Sequence, residues 1–512
     1  MLIFFRPMKL FFAMLAFASL YHSAIVLAAS PALSSERQWL AALPGGKLEL
    51  TTLLTAAKRT SETYRGIQSL QSSAEGEELR SRSLYRPLFS AQLLKGKNEL
   101  EPSSPFEPNR IESSSIGLGL EQRFLTGTTL KFDSRFGPTA LGFLPTASSP
   151  GTIDFNESRF DINLTQSLWR DSFGASSRLG YKIGFLSAQA LRQQRRAELE
   201  AYTLALVNEF YEAWLAQSRV RDATETLSRR IRIQKVTRVR ASRGTAERPD
   251  ILEAEAASVS AELELREATE RLQESWLKLA VAIKLEPALA AQVNPATIPL
   301  VLDSMDPSLE SLCQKVGANT GSAALAQALA NQKRAEAEAE RAEIDKRPDL
   351  NLRARYSTNG IDSRLSESAS EALRSKHKGW EVALRFELPF GQYEAEGRRQ
   401  EARSQELRAS AQAQALTDEE HVRWGIRCKE ISRRLRDLKR LEENAQRQGE
   451  RGRLEETRFS LGRIRLNDVT RAEEEGLVAK IRLRQEEVSL RRALWSLREL
   501  SGQIPEALEA LP

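Results

Sequence analysis

Two periodicities divide this chain. From Ile116, apolar residues fall on every second position: Ile116, Leu118, Leu120 and Phe124 alternate with Gly117, Gly119, Glu121 and Arg123. Past Thr126-Gly127, Leu130, Phe132 and Phe136 alternate with Lys131, Asp133 and Arg135. Period two with one apolar and one polar face predicts a β-hairpin turning at Thr126-Gly127. The same alternation returns in "RFDINLTQSLW" (159–169) and "GWEVALRFELPFG" (379–391). "RPLFSAQLLKG" (86–96) and "RPDLNLRARYS" (347–357) read as strands opened by Pro87 and Pro348. The pattern therefore predicts six strand segments.

From about Ser187 the period becomes helical. Leu206, Phe210, Ala213, Val220, Ala223, Leu227 and Ile231 are spaced by 4, 3, 7, 3, 4 and 4, a coiled-coil-like seam. No Pro or Gly interrupts residues 187–243, a stretch about 85 Å long at 1.5 Å per residue. Gly244 and Pro249 break it, and a return helix is expected from Asp250 to Lys284, before Pro287. Ile251, Ala254, Ala261, Leu265, Ala268 and Leu272 share one face of that helix. Shorter helices are expected at 48–84 and 307–346, a second long helix up to Ser460, and a last one at 466–500. Gly244 and Gly462, Asp250 and Asp468, Pro287 and Pro505 each lie 218 residues apart. The chain thus reads as a duplication, with a first repeat at 30–300, a second at 301–505 and a short tail at 506–512.

Helices of this length cannot wrap around a small sheet to form one core. Strands of about 9 to 11 residues suit a tilted crossing of a bilayer. An apolar face toward lipid and a polar face toward water is what a membrane barrel needs, and its strands must close into a ring. Six strands are too few for a water-filled barrel, so several chains are expected to build it together. The stretches 96–114, 137–157 and 358–378 are long and polar, like the external loops of such barrels.

Composition fits long, solvated helices: 28% of residues are charged and only 7% aromatic. "MKLFFAMLAFASLYHSAIVLAAS" has a basic start, an apolar run and small residues near Ala28 and Ala29, which predicts a cleaved signal peptide at 1–29. Without Arg6 and Lys9 the formal net charge falls from +6 to about +4. The charges are interspersed, as in "KRAEAEAERAEIDKR", so nucleic acid is not an expected partner. Cys313 and Cys428 are the only cysteines; a disulfide is open to them in an oxidising compartment, with two buried or free thiols as the favoured expectation. Past the signal only His377 and His421 remain, in no metal-binding spacing, and no phosphate-binding Gly loop occurs. No catalytic, cofactor or metal site is expected.

With the twofold repeat, the exits "NLTQSLWRDSFG" and "LRFELPFGQYEAEGRRQEA" and the bends "SRGTAERPD" and "SLGRIRLND", the mature chain resembles the outer-membrane efflux proteins, the TolC-like channels. The resemblance implies a trimer whose strands form one barrel in outer-membrane lipid. Its helices would form a periplasmic tunnel that narrows at their tips. There a periplasmic adaptor docks, opens the tunnel and couples it to an inner-membrane transporter, in tripartite efflux or type I secretion. Gly244 with Asp250, and Gly462 with Asp468, match the family's Gly-x5-Asp tip, the Asp residues read first as helix starts. Arg463 and Arg465 become candidate contacts there for an adaptor or a gate network, with solvated side chains as the blander and favoured reading. Trp169 and Trp380 are candidates for an interfacial aromatic belt, with packing against a helix as the alternative. Two departures stand out. "KRTSETYRGIQSL" replaces the usual Asn-Pro ending of the first helix, and a hairpin is added around Thr126-Gly127. Four strands per chain and twelve per trimer are implied by the family, so the sequence leaves open a larger barrel or a hairpin outside it. A periplasmic adaptor and a structural coiled-coil envelope protein are the competing readings.

Overall fold

The computed structural model describes residues 47–99, 101, 107–143, 151–284, 290, 294–303, 313 and 321–504. The expected signal peptide, Pro287, Pro505 and the tail lie outside the described residues. Strand β1 (Leu48–Glu49) leads into α1 (Leu50–Thr60) and α2 (Glu62–Ser83). The single helix expected at 48–84 is divided at Ser61, whose extended backbone ends α1 and whose Oγ accepts the Tyr64 N–H at 3.3 Å. Strands β2 (Leu88–Asn98), β3 (Arg110–Arg123), β4 (Thr128–Gly142) and β5 (Thr152–Ser167) follow. Then come the long helix α3 (Ala175–Ser242), its return helix α4 (Arg248–Ala282) and β6 (Leu300–Val301), parallel to β1.

The second half has α5 (Ala323–Asp345), β7 (Asp349–Asp362), α6 (Leu365–Leu373), β8 (His377–Glu387), α7 (Tyr393–Ser460) and α8 (Leu466–Leu500). Helices α3 and α7 both have 68 residues, α4 and α8 both have 35, and each begins 218 residues after its counterpart. A left-handed residue precedes both long helices, Gly174 at φ 78° and Gln392 at φ 48°. Helix α3 begins twelve residues before the expected Ser187. The period-two stretch ends at Leu168, and the sharp turn at Asp171–Gly174 lets the helix start at once. Among the described residues no helix is long and apolar enough to cross a membrane.

The strands form one antiparallel sheet in the order β2-β3-β4-β5-β7-β8. Strands β3, β4, β5 and β7 have 14 to 16 residues, longer than the expected 9 to 11, so the predicted loops shrink. The stretch 358–378 is not a loop: β7 runs to Asp362, and α6 packs on β7 and β5. Ser158 and Ser368 share a hydrogen bond of 2.8 Å there, and the bare Gly360 admits the helix backbone. Register aligns the two faces in rows that cross the sheet, with Leu88 of β2 as the apolar end of one polar row. Phe89, Leu120, Phe132, Ile162, Tyr356 and Trp380 are neighbours in one row, all exposed. On the opposite face Glu121, Lys131, Asn163, Arg355 and Glu381 form another row. Arg355 Nη2 meets Asp161 Oδ1 at 2.8 Å on that face.

The helices pack as columns. Helix α3 lies between α4 and α8 in the tip half, and between α2 and α5 in the half nearer the sheet; α7 packs on α8 and α5. Helices α2 and α4 meet end to end, where Glu62, the first residue of α2, pairs with Lys284 just past α4 at 2.5 Å. Helices α5 and α8 do the same, where Gly321 N–H donates to Leu500 O at 3.1 Å. The main core surrounds this level, with Leu53, Leu199, Phe210, Tyr211, Trp276, Leu279 and Leu300 buried. Nearby, Cys313 and Cys428 form a disulfide, with Cα atoms 5.5 Å apart. This corrects the expectation of unpaired thiols. A separation of 115 residues hides the contact, because both cysteines pack on the α7–α8 cluster of Ile431, Leu490, Leu494 and Leu497.

Candidate functional site

The two helical bends form one end of the molecule. At the first, Gly244 has φ 74°, its N–H reaches Ala241 O, and Thr245 N–H reaches Arg240 O at 2.9 Å. At the second, Gly462 has φ 78°, its N–H reaches Phe459 O, and Arg463 N–H reaches Arg458 O at 2.9 Å. Both are six-to-one helix closures that need a residue tolerant of positive φ, hence glycine. Asp250 Oδ2 accepts the Glu247 N–H at 2.9 Å, and Asp468 Oδ2 accepts the Arg465 N–H at 3.2 Å. Each Asp thus satisfies an orphan donor and places negative charge in the first turn, where the helix dipole favours it. Pro249 sits in the first turn of α4, where its missing N–H costs nothing.

These bends lie side by side. Ile233 and Ala254 of the first hairpin and Phe459, Leu466 and Val469 of the second bury one apolar cluster. Arg240 lies over the Phe459 ring at 4.8 Å. Arg463, Arg465, Arg243 and Arg248 are exposed at this end. None of these four side chains makes an ion pair among the described residues, and across 240–250 and 458–468 six arginines stand against three acids, so the end carries net positive charge.

Sequence reasoning missed the seam that rises from this cluster. Between α3 and α8 it is polar where the heptad pattern expects Val220, Leu227 and Ile231. Asp222 and Arg230 are buried instead, and Ile231 is exposed. Arg484 pairs with Asp222, Lys480 with Glu225 at 3.2 Å, and Arg492 with Glu212 at 2.6 Å. Arg230 donates to Thr470 Oγ1 at 2.9 Å and lies 3.7 Å from Glu473 Oε2. Burial pushes the Asp222 and Glu473 carboxyls above the usual range, against the pull of these cations. A groove of 520 Å³ opens here between the hairpins. Gly452 faces Ala472 and Gly476 faces Gln448 across the α7–α8 contact beside it. The available sequence signal was a pair of charges, Asp222 and Arg230, set inside an otherwise apolar seam.

The aromatic candidates lie at the other end, in the sheet. Trp169 follows β5 by two residues, is 46% exposed, and has its ring 6.3 Å from that of Phe386. Trp380 is 78% exposed on β8, six residues before Phe386, about 20 Å along a strand. The two therefore lie at different levels of the apolar face and do not meet, with Trp380 in the same row as Phe132 and Ile162. Among the described residues no group of His, Cys, Asp and Glu could hold a metal ion.

No protein-family model and no curated protein matches the chain. Solved structures do. The chain superposes on the outer membrane protein VceC of Vibrio cholerae with a TM-score of 0.63 at 14% identity, covering 88% of this chain and 96% of that one. The CmeC outer membrane channel of Campylobacter jejuni gives 0.63 at 12% identity, covering 93% and 90%. The open state of the MtrE outer membrane channel of Neisseria gonorrhoeae gives 0.59 at 15% identity, covering 88% of each. Sheet, paired hairpins and stacked short helices together give this chain the fold of those outer-membrane channels.

Proposed function

We propose that the chain is one third of a passive export duct in the outer membrane. Three copies close a β-barrel in lipid and a helical tunnel below it. A periplasmic adaptor opens the tunnel at the tips and couples it to an inner-membrane transporter, as in tripartite efflux or type I secretion. The two halves arose by duplication, and the duct does no chemistry of its own.

The observation that carries this reading is an unpartnered edge on each side of the chain, in both layers. Strand β2 and the α2–α4 column form one side, and β8 with α7 the other. Every described residue of β2 is exposed, and so is nearly all of β8. The outer helices carry bare apolar stripes: Leu252, Val259 and Leu263 on α4, Leu454 and Leu461 on α7. Edges of opposite kind on opposite sides favour head-to-tail contacts that close into a ring. A sheet edge in lipid requires such a partner. A structural coiled coil leaves the two-faced sheet without a role, and an adaptor leaves the second hairpin without one.

The exposed arginines of the tip are the adaptor contacts in this reading, Trp169 sits at the lipid interface nearer the helices, and Trp380 faces lipid. Its test is export from cells carrying a clean deletion. Cargo of the partner transporter should stay inside, and return to the medium when the gene is restored. Unchanged export in the deletion strain overturns the proposal.

A further inference from the structure

We propose that the β3–β4 hairpin is a full part of the membrane wall. Three copies would then close eighteen strands, half as many again as the twelve the family resemblance implies. This rests on the trimeric duct above and deepens it.

The hairpin does not hang on an edge. Strands β3 and β4 lie between β2 and β5, and β2 has no pairing with β5 that could bypass them. Pairing runs without a break along β4 and β5, from Thr128–Gln166 to Gly142–Thr152. Both faces of the hairpin match its neighbours. Leu120 and Phe132 continue the apolar row and are exposed, with nothing folded over them. Glu121, Lys131 and Asp133 continue the polar face toward Asp161 and Arg355. A hairpin plugging the lumen or lying outside the wall would break this alternation.

Its turn is also built into the seat of the helices. Ser167 N–H donates to Gly127 O at 3.3 Å, and Gln166 Nε2 donates to Thr126 O at 3.1 Å. A Cβ on Gly174, the residue that starts α3, would lie 1.6 Å from Leu125 O. The turn and the strand-to-helix exit are therefore fitted to each other.

Ring closure follows from direction. All five joints in the sheet are antiparallel, so β2 and β8 run oppositely, and β8 of one copy meets β2 of the next as an antiparallel neighbour. With strands about 4.8 Å apart and tilted about 40°, eighteen of them span about 36 Å, against about 24 Å for twelve. Each chain also supplies four helix columns, α4, α3, α8 and α7. Twelve columns spaced about 9.5 Å apart give a tube of about 36 Å, so the wider barrel meets the tunnel without a step. The membrane section then passes bulky hydrated solutes and peptides without sieving them. Its wall carries paired charges of both signs, such as Arg355 with Asp161 and Lys131 with Asp133. Size selection falls to the helical tips.

The test is electron cryomicroscopy of the full protein in lipid nanodiscs, with a strand count around the barrel. Eighteen strands are expected. A trimer with twelve, and the hairpin off the ring, overturns this inference and leaves the duct standing. A particle that is not a trimer overturns both. In parallel, Phe132→Cys and Lys131→Cys are labelled with a fluorophore in proteoliposomes. A lipid-borne quencher should act several-fold more on position 132, and aqueous iodide more on position 131. Equal quenching overturns the proposal, and Leu120→Cys repeats the lipid arm if Phe132→Cys fails to assemble.

Discussion

Glu200 sits on α3 where the start of α5 meets the end of α8. It is 3% exposed, and its Oε2 accepts the Ala323 N–H at 3.3 Å. Burial, with help from nearby Glu499 and Glu420, raises its carboxyl to about 7. A carboxyl raised on folding stabilises the fold fully below its unfolded value near 4.5, and the gain is lost as pH rises through about 7. Stability should therefore fall by roughly 2–4 kcal/mol between pH 4.5 and 8 on this account. Glu200→Gln should flatten most of that slope and raise the melting temperature at pH 8; an unchanged slope by thermal denaturation counts against it. At the tip, reversing exposed charge tests function rather than folding. Arg463→Glu with Arg465→Glu should leave the melting temperature within a few degrees and lower export several-fold, since such charges act on partner association. Normal export in that variant removes these two arginines from the contact. Residues of this second kind were legible, because a Gly followed six residues later by an Asp announces a tip. Glu200 was not, since its neighbours come from helices far apart in sequence.

Elements were read better than their ends. The helical period located both long hairpins, and the alternation, with the two segments opened by Pro87 and Pro348, located the six strands of the sheet. Strand ends were missed because 137–142 and 358–362 are paired despite a loop-like content of Gly, Pro, Thr and Asn. The polar α3–α8 seam was missed because a heptad count sees apolar positions, not which of them face a partner. That seam gives two predictions. Arg484→Leu leaves the buried Asp222 without its closest cation. It should cost about 3 kcal/mol and loosen the hairpins from each other. Planar-bilayer conductance of the variant should rise above that of the parent; an equal conductance means the seam does not hold the tunnel shut. The disulfide closes a loop of 115 residues. Cys313→Ser with Cys428→Ser should therefore cost about 2–4 kcal/mol in thermal unfolding and leave the channel assembled. No loss in unfolding stability rules out a structural role for the bond.

At the scale of the whole molecule, the isolated chain is an open wedge. Its sheet ends in two bare edges, and its helix columns end in α4 and α7 with apolar stripes exposed. Six amphipathic strands cannot enclose water alone, which is why several chains were expected from the sequence. Whether the added hairpin belongs to the same sheet was not legible, because alternation gives the faces of a strand but not its neighbours. The pairing of β3 with β2, and of β4 with β5, supplies that information. Three such wedges are proposed to close into a ring in the outer membrane. The native mass of the detergent-extracted protein, measured after the membranes have been separated, decides this. Three chains per particle are expected, recovered from the outer membrane. A monomer or dimer in the soluble periplasmic fraction rules the ring out.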